Sequence, residues 1–167
     1  MTHPLVLQLR FTRSEFQRAL AGISEEDGFR RIEPMNSLGW VVAHLSWQEQ
    51  RYWLTAAQGQ TPFPDVNDAG FGKPASTPSI SAMWEVWRTI TAAADPFLET
   101  ITTDLLTTHF TLNEKSLPES IGSMLRRMTY HYWYHIGESQ AIRQLLGHTD
   151  LGVFVGAIHA EAPYIPE

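Results

Sequence analysis

Leu125-Arg-Arg-Met128-Thr-Tyr-His131-Tyr-Trp-Tyr-His135-Ile-Gly-Glu138-Ser-Gln-Ala-Ile142-Arg-Gln-Leu-Leu146 is the stretch that decides the fold. At about 100° of rotation per residue, Met124, Leu125, Met128, Tyr132, Ser139, Ile142 and Leu146 fall in one stripe with Ile121. This spacing predicts a long helix over about Pro118 to Leu146, with Leu117-Pro118-Glu119-Ser120 supplying a proline-bearing first turn and Gly147 the stop. His131 and His135 fall within the apolar stripe, so both rings point into the protein. Residues four apart stack on one helix face, where two imidazoles can grip one metal ion while another helix adds a third.

A single core histidine is more often satisfied by a hydroxyl or a carbonyl than by a metal. Two on adjacent turns of a core-facing stripe are harder to explain that way, because each buried ring needs partners for its polar nitrogens. His44, in Trp40-Val-Val-Ala-His44, lies at the edge of the Leu38, Val42 and Leu45 stripe of its own helix, where a ligand could reach across to the pair. Three histidines leave a coordination position open, which is the arrangement of catalytic rather than structural metal sites. Neutral imidazoles suit several divalent ions, and zinc or nickel is the expectation. Glu138, three residues after His135, and Gln48, one turn after His44, are candidates to orient the ligand rings. Glu138 is also the candidate catalytic base on metal-bound water.

Outward from these histidines, three more segments carry helical periodicity. The first runs from about Pro4 to Gly22, with Leu5, Leu9, Phe16, Leu20 and Ile23 near one side, and Ser24-Glu-Glu-Asp-Gly28 marks its end. The second runs from about Ser37 to Gln58, capped by Asn36 or Ser37 and stopped by Gly59. The third, about Pro78 to Thr103, contains Pro96, which predicts a kink or a restart after Asp95. Between the second and third, residues 60–77 hold three prolines and two glycines and are expected to form a surface loop over a pocket mouth. No segment shows a sustained alternation of β-branched residues, so the expected fold is all-α: one domain over 1–167, a four-helix bundle with a C-terminal extension from Asp150.

Composition narrows the partners. With 12 basic and 18 acidic residues and a net charge of −6, the chain has the wrong sign for a phosphate-binding surface, and no nucleic acid is expected. The opening residues lack a cationic and long apolar signal, and no stretch reaches the ~18 apolar residues of a span, which predicts a cytoplasmic protein with no membrane partner. There is no cysteine, so a metal site must use nitrogen and oxygen ligands, and any thiol must come from outside.

Several motifs dissolve on inspection. Gly137-Glu-Ser139-Gln-Ala141 spells something like a nucleophile elbow, but that motif needs a strand-turn-helix corner. No His-Glu-x-x-His occurs, which removes the zinc-protease ligands. His3, His109, His148 and His159 sit near expected ends or loops, where a solvated ring is the default. Tyr130, Trp133 and Tyr134 lie opposite the apolar stripe, which predicts cover by the tail or by a second subunit, and so a homodimer.

Asn36-Ser-Leu-Gly-Trp-Val-Val-Ala-His44-Leu-Ser-Trp together with His131-Tyr-Trp-Tyr-His135-Ile-Gly-Glu-Ser-Gln-Ala-Ile-Arg-Gln-Leu-Leu-Gly-His148 resembles the DinB-like superfamily of four-helix bundles. The resemblance implies an up-down-down-up bundle, often dimeric, in which one histidine of the second helix and a pair on the fourth bind a divalent metal. The matching positions are His44, His131 and His135. It also implies kinship with metal-dependent thiol transferases and maleylpyruvate isomerases that use low-molecular-weight thiols. The leading expectation is therefore a transferase that activates a small-molecule thiol towards an electrophilic substrate. The alternatives are a metal-dependent hydrolase using bound water and a non-catalytic, metal-stabilised, stress-associated binding protein.

Overall fold

The computed structural model describes residues 2–166; Met1 and Glu167, the outermost residues of the expected domain, lie outside the described residues. Helix α1 (Pro4–Ala19) starts on His3, whose Nδ1 accepts the Leu5 N–H at 3.2 Å, with Pro4 at the first helical position. His3 is thus a buried cap, where a solvated ring was the default expectation. The acidic run expected only to end α1 instead opens a short helix, α2 (Glu25–Phe29): Ser24 accepts the Asp27 N–H, and three carboxylates face the positive end of the helix dipole.

Helix α3 (Leu38–Glu49) is capped by Ser37 and continues as a π-helical stretch over Gln50–Ala56 before Gly59, at φ +70, turns the chain. Gly39 lets α3 lie against the following segment, since a Cβ there would stand 2.2 Å from the carbonyl oxygen of Pro78. Residues 60–77 are ordered onto this helix: a 3₁₀ helix spans Pro64–Ala69, and the Gln50 side chain both donates to and accepts from the Phe63 backbone at 2.9 Å. Helix α4 (Ile80–Leu98) runs through Pro96 without restarting after Asp95, because the proline stands in the last turn, where few hydrogen bonds remain to be lost. A separate four-residue helix, α5 (Thr103–Leu106), follows.

A small hairpin then departs from the all-helical expectation: β1 (His109–Leu112) pairs antiparallel with β2 (Lys115–Ser120). Asn113 and Glu114 both take positive φ, the geometry of a two-residue hairpin turn that follows strand twist. Pro118 therefore lies in β2, and helix α6 (Ile121–Leu145) begins three residues later, with Ser120 as its cap and Gly147 (φ +89) just beyond its end.

The four long helices form the body of the protein. Helix α1 packs on α6, and α3 packs on both α4 and α6. Phe16 closes the ring by packing on α4, with its ring centroid 5.1 Å from Trp84 and 6.2 Å from Trp87. Leu9, Phe16, Leu45, Trp53, Ile90 and Met128 meet at the fully buried centre. Threaded through it is a charged network: the Arg13 guanidinium grips Glu49 with two bonds of 2.7 and 2.6 Å, and Tyr132 donates to the same carboxylate at 2.8 Å. Trp87 Nε1 in turn donates to the Tyr132 oxygen at 2.7 Å. Burial opposes the Arg13 charge, but Glu49 outweighs it and raises the pKa; burial and then the Glu49 charge push the Tyr132 phenol well up. One hydrogen-bonded network thereby ties together all four long helices, through Arg13 of α1, Glu49 of α3, Trp87 of α4 and Tyr132 of α6.

The tail folds back on α1. Gln8 donates to Ala162 O, Gly156 N donates to Glu15, and Arg18 donates to Val153 O while stacking on Phe154 at 4.2 Å; one short helix, α7 (Ile158–Glu161), interrupts the coil. Among the described residues, no helix is long and apolar enough to cross a membrane.

Candidate metal centre

Helices α3 and α6 lie side by side with their histidines facing one another. His44 projects from the second turn of α3, and Trp40, one turn earlier, stacks on its ring at 4.5 Å and 11°, which restricts how the imidazole can turn. From α6, the Nε2 of His131 lies 3.2 Å from that of His44 and 3.0 Å from that of His135. One nitrogen from each of the three rings lies within 4.8 Å of the others. Ligands about 2.0–2.1 Å from a tetrahedral zinc ion stand roughly 3.3 Å apart, so these separations fit a shared ion.

The opposite ring nitrogens explain the orientation. His44 Nδ1 lies 2.6 Å from the carbonyl oxygen of Ala69, at the end of the 3₁₀ helix. His135 Nδ1 lies 2.6 Å from Glu138 Oε2. Both acceptors demand a proton on Nδ1, which leaves the Nε2 lone pairs of His44 and His135 aimed at His131. A single proton on His131 Nε2 cannot satisfy both directions at these distances, whereas one cation satisfies all three lone pairs together. His131 Nδ1 is buried and has no hydrogen-bond partner among the described residues.

Burial keeps His131 and His44 neutral. It pushes His131 down to about 3, helped by the neighbouring His135 and His44 and by Arg127. It pushes His44 down to about 4, partly opposed by the Ala69 carbonyl. A neutral imidazole is the form that ligates a metal, so at neutral pH His44 and His131 are ready to do so.

On the solvent side, the edges of His44 and His131 open into a cleft of about 1000 Å³. Its walls include Trp47, Gln48, Tyr52, Tyr130 and Tyr134. Gln48 therefore faces the cleft, and the residue that fixes His44 is Ala69 through its backbone. No side-chain signal could have revealed that partner in the sequence. Glu138 stands behind the His135 ring, on the nitrogen turned away from the cluster. Of the three aromatics on the outer side of α6, Trp133 packs against Phe11 at 6.1 Å, while Tyr130 and Tyr134 are 67% and 69% exposed at the cleft mouth. The tail lies along α1 and leaves these two tyrosines uncovered.

The comparison with known families agrees with the bundle. Residues 8–139 match the DinB_2 family, described as DinB superfamily. No curated protein matches the chain.

Proposed function

The chain belongs to the DinB superfamily, and from that premise we propose that it is a metal-dependent transferase acting on an external low-molecular-weight thiol. The observation that carries this reading is the convergence of three Nε2 lone pairs at the inner end of an open cleft. A divalent ion, zinc or nickel, held by His44, His131 and His135 would supply the Lewis acidity that lowers the pKa of a thiol from its usual ~8.5.

The chain's own residues favour a thiol over water as the group so activated. Hydroxide formation at such sites is commonly assisted by a free base, yet Glu138 is engaged by His135 Nδ1 and faces away from the cluster. The carboxylate that does line the cleft, Glu119, is held by Arg127. A thiol, far more acidic than water, needs no such base. Glu138 is then a positioning residue: it keeps the His135 proton on Nδ1 and the ring aimed inward. Trp40 and the Ala69 carbonyl do the same for His44.

Zinc- and nickel-loaded protein, mixed with small thiols and a chloronitroaromatic electrophile, is expected to consume both reactants, and a chelated control is expected to consume neither. Ester hydrolysis without thiol would point instead to activated water. Metal uptake with no reaction of either kind would overturn the transferase reading.

A further inference from the structure

We infer that the cleft beside the histidine cluster binds an organic anion through Arg51 and Arg126, so that the reactant brought to the cluster carries a carboxylate. This deepens the transferase reading and rests on it for the identity of the reacting centre.

The chain is acidic overall, with 18 carboxylates against 12 basic residues, yet the cleft inverts that balance. Three arginines, Arg51, Arg126 and Arg127, line it against one carboxylate, Glu119. Arg127 places both Nε (2.7 Å) and Nη2 (2.5 Å) on a single Glu119 oxygen, which pairs those two charges with each other. Arg51 and Arg126 remain. Neither has a carboxylate partner among the described residues, and the Arg51 guanidinium lies 5.5 Å from the Trp47 ring. Three neutral imidazole ligands would also leave a divalent ion's charge uncancelled, adding to the positive field at the inner end.

Scattered surface arginines ordinarily serve only solubility, and they would be expected on all sides. Here two unpaired ones share a concave, aromatic-walled site of the size that takes a small organic molecule. The planar guanidinium fork matches a carboxylate, and Trp47, Tyr52, Tyr130 and Tyr134 offer apolar surface to a carbon skeleton. The carboxylate can belong to the thiol or to the electrophile, and the two sources respond to different probes.

Calorimetric titration of the zinc-loaded protein with 3-mercaptopropionate, 2-mercaptoethanol and cysteamine compares an anionic, a neutral and a cationic thiol of similar size; succinate tests an anion without a thiol. The anionic thiol is expected to bind roughly ten-fold more tightly than the neutral one, and the Arg51→Gln/Arg126→Gln double variant is expected to lose that preference while keeping its zinc. Equal binding of all three thiols would overturn the anion site and leave the thiol reading intact. If no thiol binds, but succinate does so in a manner abolished by the double variant, the anion site stands and the thiol reading falls. Anion binding that survives in the double variant would place the anion on the metal alone and overturn the role of the two arginines.

Discussion

Glu138 Oε2 accepts the His135 Nδ1 proton at 2.6 Å, one helical turn along α6, and so decides which nitrogen of His135 faces the cluster. Glu138→Gln keeps the shape but can present its amide N–H₂ to the ring, which permits the other tautomer. Its metal affinity is expected to fall about 10–100-fold, as for other outer carboxylates behind ligand histidines. Competition with a chromogenic chelator measures this, and unchanged affinity would show that the ring is fixed by its packing instead.

Burial places a second demand on the histidines. His131 and His44 are pushed down to about 3 and about 4, against about 6.5 in an unfolded chain. Between about pH 4 and 6.5 the unfolded metal-free chain therefore binds more protons than the folded one, and stability rises with pH across that window. Urea midpoints of chelated protein are expected to fall steadily from pH ~7 to ~4.5, with each histidine contributing up to about 1.4 kcal/mol per pH unit. A flat profile would contradict the burial of neutral rings.

Arg13 and Glu49 lie wholly inside the bundle, paired at 2.6 Å. Arg13→Met leaves the Glu49 carboxylate unpaired and is expected to cost about 3–5 kcal/mol, whereas Arg13→Met/Glu49→Leu is expected to recover most of the loss. Thermal unfolding of the two variants checks the order. If the double variant is as unstable as the single one, the packing of these chains matters more than their charge.

Tyr130 and Tyr134 are exposed on α6 and uncovered by the tail, and the expected homodimer would meet on this face. Light scattering coupled to size exclusion is expected to give twice the 18.9 kDa of one chain. A species of 18.9 kDa alone at micromolar concentration would refute the dimer.

The helical phase of His131 and His135 and the caps at Ser37 and Gly59 were legible in the sequence because each rests on local geometry. The charged network was legible in principle. Arg13 stands between Leu9 and Phe16 at helical spacing, and Glu49 follows Val42 and Leu45 in the same way, so opposite charges sat on two buried stripes. Two features were masked by competing signals: Pro118 suits a first helical turn as well as a short strand, and the acidic run after Ser24 suits a helix start as well as a loop. The Ala69 carbonyl carried no signal, since every residue has a backbone oxygen and only the tertiary fold selects one.

The proposed metal centre requires His44, His131 and His135 to hold one ion together. Elemental analysis of protein exposed to zinc or nickel and then desalted is expected to find about one ion per chain in the wild type and a near-complete loss in His131→Ala, whose missing ring is the one that meets both others. A wild type that retains no metal, or a His131→Ala variant that retains as much as the wild type, would contradict it.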